Sequence, residues 1–513
     1  MMSPTEIELK LALPGADPAR VAAQLTTVPR LAAVPATELH LSSRYFDTPE
    51  RDLSAARVAL RLRSVRQGRG RARWVQTLKT AGAGDGSLSS RNEWEAPVRS
   101  GQIDPAALQT TAWPVLDTQG KWLTQLAPCF ETTCVRTLRR VPGPQGSLIE
   151  VALDVGDIRA GDGRREALLE LELELIEGTP DDLFDLAEHI AQHIAVLPSL
   201  RSKAERGWRL ADGTTHAPRR ARPPALHKGT PVPQAAQAVL AEALGHGLDN
   251  LNGILASDGD ELVHQARVGW RRWRSALWLF KPLLAPHPLP DTAALGPLRQ
   301  ALGALRDLDV AALDTLPPWS EAFIDGDAER AEQWQTMEVG LSAERRIRRA
   351  ALLSTLSARA TGQALVALER WLYALPTHVP ASTAERPAPR KGHKSKQIPL
   401  LDWARARTHR LRQRLKAALH TLERTDTSTA DGWAQQHRVR LLAKRTRYVL
   451  MAVHDVLPTR RSQRWQTEAA DWQTRIGDAR DLMLLGQLLE PLGVDRAILG
   501  FLRGVAAARS APD

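Results

Sequence analysis

Between Leu169 and Leu175 the chain reads Leu-Glu-Leu-Glu-Leu-Glu-Leu, an alternation that an extended strand sorts into one apolar and one charged face. The same two-residue period runs through Glu6-Ile7-Glu8-Leu9-Lys10-Leu11 and Ala59-Leu60-Arg61-Leu62-Arg63. Residues two apart share a face. Glu6, Glu8 and Lys10 therefore point one way, as do Arg61 with Arg63, Arg91 with Glu93 and Glu95, Glu150 with Asp154, and Glu170 with Glu172 and Glu174. One such strand is most simply part of a sheet with a wet face. Five of them, carrying both signs on the charged side, suit a closed barrel with a charged lumen.

Carboxylates and cations together in a confined space have a chemical use. Hard divalent ions take oxygen ligands and leave positions for water and phosphate. Lys and Arg neutralise the remaining phosphate charge, and Arg grips two oxygens at once. Either set alone would repel itself, whereas the two together describe a metal–polyphosphate site. For Glu93 and Glu95, ion pairing with tunnel arginines is an equal alternative.

The rest of the chain is different in kind. Its 513 residues predict two to four domains. Residues 1–212 hold 26 Lys and Arg against 28 Asp and Glu, and the remainder holds 43 against 30. A basic second half predicts a polyanionic partner. Pro-rich stretches at 216–234 and 376–399 read as linkers, the second containing the basic run from Arg390 to Lys396. The resulting layout is a domain at 1–212, a linker at 213–231 and a domain at 232–508. The second domain splits into repeats at 232–375 and 400–508 around the insertion. Strand patterns stop near 212, one helix is expected from Pro180 to Ile194, and the second half is helical throughout, so the fold class is α+β and multidomain. No membrane-length apolar run, no secretion signal and only Cys129 and Cys134 as cysteines predict a soluble cytosolic protein without a disulfide framework.

The helical half repeats itself. His264, Arg267, Arg271, Arg272 and Arg274 recur 173 residues later as His437, Arg440, Lys444, Arg445 and Arg447, and 302–308 recurs as 476–482. His264, Arg267, Arg271 and Arg274 fall on one helical face, as do their counterparts. Arg306-Asp307 and Arg480-Asp481 are read as ion pairs that brace neighbouring helices.

The N-terminal motifs, Glu6-Ile7-Glu8-Leu9-Lys10, Tyr45-Phe46-Asp47-Thr48-Pro49, Leu60-Arg61-Leu62-Arg63, Gln76-Thr77-Leu78-Lys79, Arg91-Asn92-Glu93-Trp94-Glu95, the run from Ile149 to Asp154, the Glu170–Glu174 run and Ser202-Lys203-Ala204-Glu205-Arg206-Gly207, resemble the CYTH, or triphosphate tunnel metalloenzyme, family. The resemblance implies an eight-stranded antiparallel tunnel that hydrolyses or cyclises triphosphate substrates with Mg²⁺ or Mn²⁺. It implies phosphate binding by Lys10, Arg61, Arg63, Lys79, Arg136 and Lys203, with Arg139 and Arg140 as alternatives to Arg136. It implies metal binding by Glu6, Glu8, Glu170 and Glu172, with Asp154 and Glu174 next.

The motifs Val263-His264-Gln265-Ala266-Arg267-Val268, Arg271-Arg272-Trp273-Arg274 and Arg306-Asp307-Leu308-Asp309-Val310, with their second copies, resemble the CHAD family. That implies a bundle of two similar helical halves that binds inorganic polyphosphate through the two cationic sets, His264 to Arg274 and His437 to Arg447. Met483 stands where the first copy has Asp309. The order CYTH then CHAD resembles bacterial inorganic triphosphatases and gives the leading expectation: metal-dependent hydrolysis of inorganic triphosphate, with polyphosphate binding and an association with polyphosphate granules. The rival readings are a nucleoside triphosphatase or adenylate cyclase, and a non-catalytic polyphosphate binder. Nucleic acid ranks below polyphosphate because the basic stripes carry few aromatics beyond Trp270, Trp273 and Tyr448.

Overall fold

The structure, a computed structural model, describes residues 5–510 apart from 16, 81, 83–85, 377–397 and 427–428, and only the backbone at 461, 473–484, 509 and 510. The basic run from Arg390 to Lys396 and the side chains of Arg480, Asp481 and Met483 lie outside the described residues.

Strands β1 (Thr5–Ala12), β2 (Thr37–Asp47), β3 (Ala59–Gln67), β4 (Arg73–Lys79), β5 (Leu88–Val98), β6 (Ala127–Pro142), β7 (Leu148–Ala160) and β8 (Arg165–Glu177) form an antiparallel sheet ordered β5-β4-β3-β2-β6-β7-β8-β1. A β5–β1 pairing closes it into an eight-stranded barrel. The seam is short: β5 takes residues 5–9 of β1, and a three-residue strand β9 (Leu197–Ser199) takes 10–12 along the same edge.

The barrel is inverted relative to an ordinary core. Leu9, Leu11, Val151, Leu153, Leu171 and Leu173 point outward and are buried by helix α1 (Pro180–His193) through Leu183, Leu186 and Ile190. That helix starts where a Thr179–Asp182 capping box and Pro180 at its first turn dictate. The alternate, charged positions are thereby left to the lumen. A further helix, α2 (Lys203–Ala211), packs on β6 and β7; Gly207 sits so close to the Phe130 ring that a Cβ would overlap it.

The helical half contains α3 (Val232–Ala256), α4 (Asp260–Leu284), α5 (Gly296–Asp309), α6 (Ala328–Leu356), α7 (Arg359–Tyr373), α8 (Leu400–Glu423), α9 (Ala430–Ala452), α10 (Thr459–Leu489) and α11 (Arg496–Ser510). The repeated cationic motifs fall on α4 and α9, which pack together. The two copies share a core, with Leu240, Ala243 and Leu279 of the first beside Leu411, Val449 and Leu450 of the second. No helix among the described residues is long and apolar enough to cross a membrane.

The segment 213–231 is docked along α3. The backbone N–H of Arg219 donates to Asn250 Oδ1 at 3.1 Å and that of Arg222 to Glu242 Oε1 at 2.8 Å, both acceptors being buried. The barrel and the helices also meet directly. Arg370 on α7 pairs with Asp181 at 2.8 Å and Glu188 at 2.6 Å on α1, and buried Glu369 accepts from the N–H and hydroxyl of Ser87 at 2.9 Å each.

Candidate functional site

Because β1, β6, β7 and β8 are neighbours, their registers set charges in rows: Arg136 lies opposite Asp154, Asp154 opposite Glu170, and Lys10 opposite Glu172. Lys203, first residue of α2, brings its ammonium to this row. It lies 2.7 Å from Asp154 Oδ2 and 2.9 Å from Glu172 Oε1, and also binds Glu170. Arg136 donates to both oxygens of Asp154 at 2.7 Å and to Glu172 Oε2 at 2.7 Å. Burial pushes the Asp154 carboxyl up, but Lys203 and Arg136 outweigh it and hold it at about 2. Glu172 is partly buried, which pushes its carboxyl up, yet Lys203, Lys10 and Arg136 keep it well below the usual carboxylate range.

A second row crosses the seam. Lys79 donates to the two oxygens of Glu6 at 2.8 and 2.7 Å and pairs with Glu93 at 3.1 Å. Glu8 binds Lys10 and, at 3.0 Å, Arg91; these cations hold Glu8 at about 2 against its burial. Glu174 has no salt bridge among the described residues, and burial together with Glu6 pushes its carboxyl up to about 7. Arg61 reaches Glu93 at 3.3 Å and Glu95 at 3.4 Å, which is the ion-pairing alternative for those two acids.

Arg63 differs from its neighbours. Its Nε donates to Ser43 Oγ at 3.0 Å, and no carboxylate meets it among the described residues. Burial, then the guanidiniums of Arg61 and Arg136, disfavour its charged form. A half-buried cation pressed by two others is a place where an added anion relieves repulsion.

All of the expected phosphate cations, Lys10, Arg61, Arg63, Lys79, Arg136 and Lys203, line one chamber of about 820 Å³, together with Glu6, Glu8, Glu172 and Glu174. Asp154 and Glu170 sit behind that lining, buried against Lys203. Arg136 is the lumen arginine of its run: Arg140 turns to Glu150 at the exposed end, at 2.9 Å. Arg91 and Arg206 join the site without a role that the sequence assigns. Arg91 has the parity of Glu93 and Glu95, and Arg206 lies one helical turn from Lys203 and binds Glu166 and Glu170 at 2.7 and 2.9 Å.

Oxygen atoms of Asp154, Glu170 and Glu172 lie within 4.8 Å of one another. An all-carboxylate set of this kind fits a hard divalent cation, and no nitrogen or sulfur donor competes within it.

In the helical half, α4 and α9 present their stripes to a shared cleft of about 2810 Å³. It is lined by His264, Arg267, Arg271 and Arg274 on one side and His437, Arg440, Lys444, Arg445 and Arg447 on the other. Arg272, expected among them, is a correction. One residue on from Arg271 it is rotated about 100° around the helix, and it is buried against Glu242 and His246. Arg306 and Asp307 do not pair with each other; Arg306 meets Asp314 at 3.3 Å and Asp260 at 3.6 Å, and Asp307 meets Arg267 at 3.3 Å. Burial, and after it Arg306, lowers the pKa of His264. The cleft also takes Arg220 from the docked 213–231 segment, a contribution that no periodicity announces. Of the aromatics noted in the stripes, Tyr448 lines the cleft, while Trp273 is buried in the core.

The chain matches the CYTH domain family over residues 4–208 and the CHAD domain family over residues 238–490. Over 208 residues, 40% of this chain, it is 32% identical to an inorganic triphosphatase of Haemophilus influenzae, and the chain spans about half (54%) of that protein's length. Among solved structures it resembles the CHAD domain of the plant Ricinus communis, at 26% identity and TM-score 0.46 over 57% of this chain and 91% of that one. It also resembles a putative adenylyl cyclase from Hippeastrum described as having a dominant triphosphatase activity, at 20% identity and TM-score 0.30 over 40% of this chain and 95% of that one. The chain is therefore a CYTH domain followed by a CHAD domain.

Proposed function

We propose that the tunnel hydrolyses inorganic triphosphate to pyrophosphate and phosphate with the help of a divalent cation, and that the helical cleft binds inorganic polyphosphate. The observation that carries the tunnel reading is Arg63, a half-buried guanidinium without a carboxylate partner between Arg61 and Arg136. A triphosphate supplies the missing charge. Lys10, Arg61, Arg63, Lys79, Arg136 and Lys203 would hold its oxygens and align the terminal phosphorus, and positioning with charge neutralisation is most of what phosphoryl transfer needs. Asp154, Glu170 and Glu172 would hold Mg²⁺ or Mn²⁺, whose contribution is to offset charge developing on the phosphoryl oxygens. Lys203 already bridges those three acids, so it would orient them as well as bind phosphate. The haemophilus relative, named an inorganic triphosphatase, supports this substrate over a nucleotide.

For the cleft, two facing cationic stripes suit a linear polyanion, with affinity gained largely by counterion release. One tyrosine in the lining offers little for stacking bases, which favours polyphosphate over nucleic acid. The test is phosphate release from triphosphate, ATP and long-chain polyphosphate, each with Mg²⁺, Mn²⁺ or EDTA. Metal-dependent turnover of triphosphate is the expected result. Turnover of ATP with triphosphate inert would replace it with the nucleotide reading, and no turnover at all would leave a binding protein.

A further inference from the structure

The cationic face of α4 does not stop at Arg274. The next position on it, one turn further, is Trp278, and two guanidiniums from α8 lie over that ring, Arg407 at 4.2 Å and Arg414 at 5.9 Å from its centroid. Arg407 has a docking job. Pro282 inside α4 has no N–H to give the carbonyl of Trp278 four residues back. Arg407 donates to that oxygen instead, and to Leu279 O at 3.0 Å.

Arg410 and Arg414 follow Arg407 by three and seven residues and so share its face of α8. Both are exposed, and neither has a carboxylate partner among the described residues. The arginines at other positions of α8 do find acids: Arg405 meets Asp402 at 3.9 Å and Arg412 meets Glu468 at 3.6 Å. Across the cleft, Arg445 feels this group. Burial, then Arg274 and Arg414, disfavour its charged form, so Arg414 belongs to the same positive field as the cleft lining.

We propose that the cleft is the first segment of a longer anion track that turns around Trp278 onto Arg414 and Arg410, and that its ligand is long-chain inorganic polyphosphate. The proposal rests on the reading of the cleft as a polyphosphate site and extends it to chain length. From His264 to Trp278 the helix rises about 21 Å, and from Arg407 to Arg414 about 10 Å more along α8, so a short chain fills the cleft and a long one occupies both. The Trp278 ring is covered by arginine rather than open to a base, which separates this track from a nucleic-acid platform.

The experiment is binding of short-chain and long-chain polyphosphate to the full chain in EDTA over a salt series, where any tunnel contribution is common to all variants. For Arg410→Glu/Arg414→Glu, long-chain affinity should fall about tenfold or more and its log–log salt slope should shrink by about 1 to 2, with short-chain binding unchanged. Arg410→Ala/Arg414→Ala should move the same way by less. Unchanged long-chain binding, or an equal loss for both lengths, overturns the track. Arg271→Glu/Arg274→Glu should lose both lengths; if it binds both normally, the cleft reading itself has failed and the track falls with it. Single-stranded RNA bound as tightly as long-chain polyphosphate, with the same loss in the glutamate variant, would overturn the ligand class.

Discussion

The tunnel and the cleft are both lined with cations, yet the tunnel pairs them far more completely. In the tunnel nearly every cation has a carboxylate at salt-bridge distance, and the acids are held down in return, Asp154 and Glu8 at about 2. In the cleft, Arg267 and Arg306 meet acids, but Arg271, Arg274 and Arg445 have no carboxylate partner among the described residues. Confinement explains the contrast. Inside a barrel a charge is desolvated and is costly unless paired, whereas in an open cleft water and mobile ions screen it. The tunnel cations are thus held in place by their acids, and these three cleft arginines are left to the solvent.

The comparison breaks first at Glu172, which faces both Lys203 and Arg136. Glu172→Ala should lower metal-dependent triphosphate turnover by about 10³-fold, measured as phosphate release with saturating Mg²⁺ or Mn²⁺. Retention of full turnover would remove that acid from the site. Next comes a paired against an unpaired cation. Arg136→Ala takes from the buried Asp154 one of its two cations, leaving Lys203, and should cost about 1–3 kcal/mol in denaturant unfolding. Arg63→Ala strands no acid, so it should leave stability near that of the parent while kcat/KM falls about 10²-fold. Equal destabilisation by both would erase the distinction.

A smaller effect belongs to the helical half. His246 is buried beside Arg272, and its folded pKa is depressed to about 4. The unfolded chain therefore binds that proton first. The stability is intact above about 6.5 and is lost as pH falls towards 4, to a limit of about 3 kcal/mol. Unfolding of the parent and of His246→Gln at pH 7 and pH 4.5 isolates it, and an identical pH slope in both would refute it. The smallest effect is salt alone. Rising salt should stabilise the cleft-bearing half by a few tenths of a kcal/mol, because it screens unpaired cations, and should leave the tunnel's buried pairs nearly untouched.

Much of the tunnel was legible in the chain because a strand has a period of two and cannot hide it. Parity alone grouped Glu6 with Glu8 and Lys10, Arg61 with Arg63, and Glu170 with Glu172 and Glu174, and closure of the barrel turned one face into a lumen. The same rule placed Arg91 on that face without giving it a partner, since Glu8 is 83 residues away in sequence and is met only across the seam. On helices the signal is coarser. A cluster such as Arg271-Arg272 spans about 100° of rotation, so composition could not tell the cleft-facing residue from the one paired with Glu242.

What the sequence determined by itself is therefore local: the strand faces, the helical stripes, their duplication, and the sign of the charge each surface carries. The tertiary structure decided which charges are paired. That Lys203 from α2 would meet Asp154, Glu170 and Glu172, that Arg63 would be left without an acid, and that residues 213–231 would dock along α3 and bring Arg220 to the cleft are all consequences of long-range packing. The physical reason is one of range. Periodicity is set by bonds between near neighbours, while a salt bridge between distant segments forms only when the apolar faces have already buried each other and fixed the register.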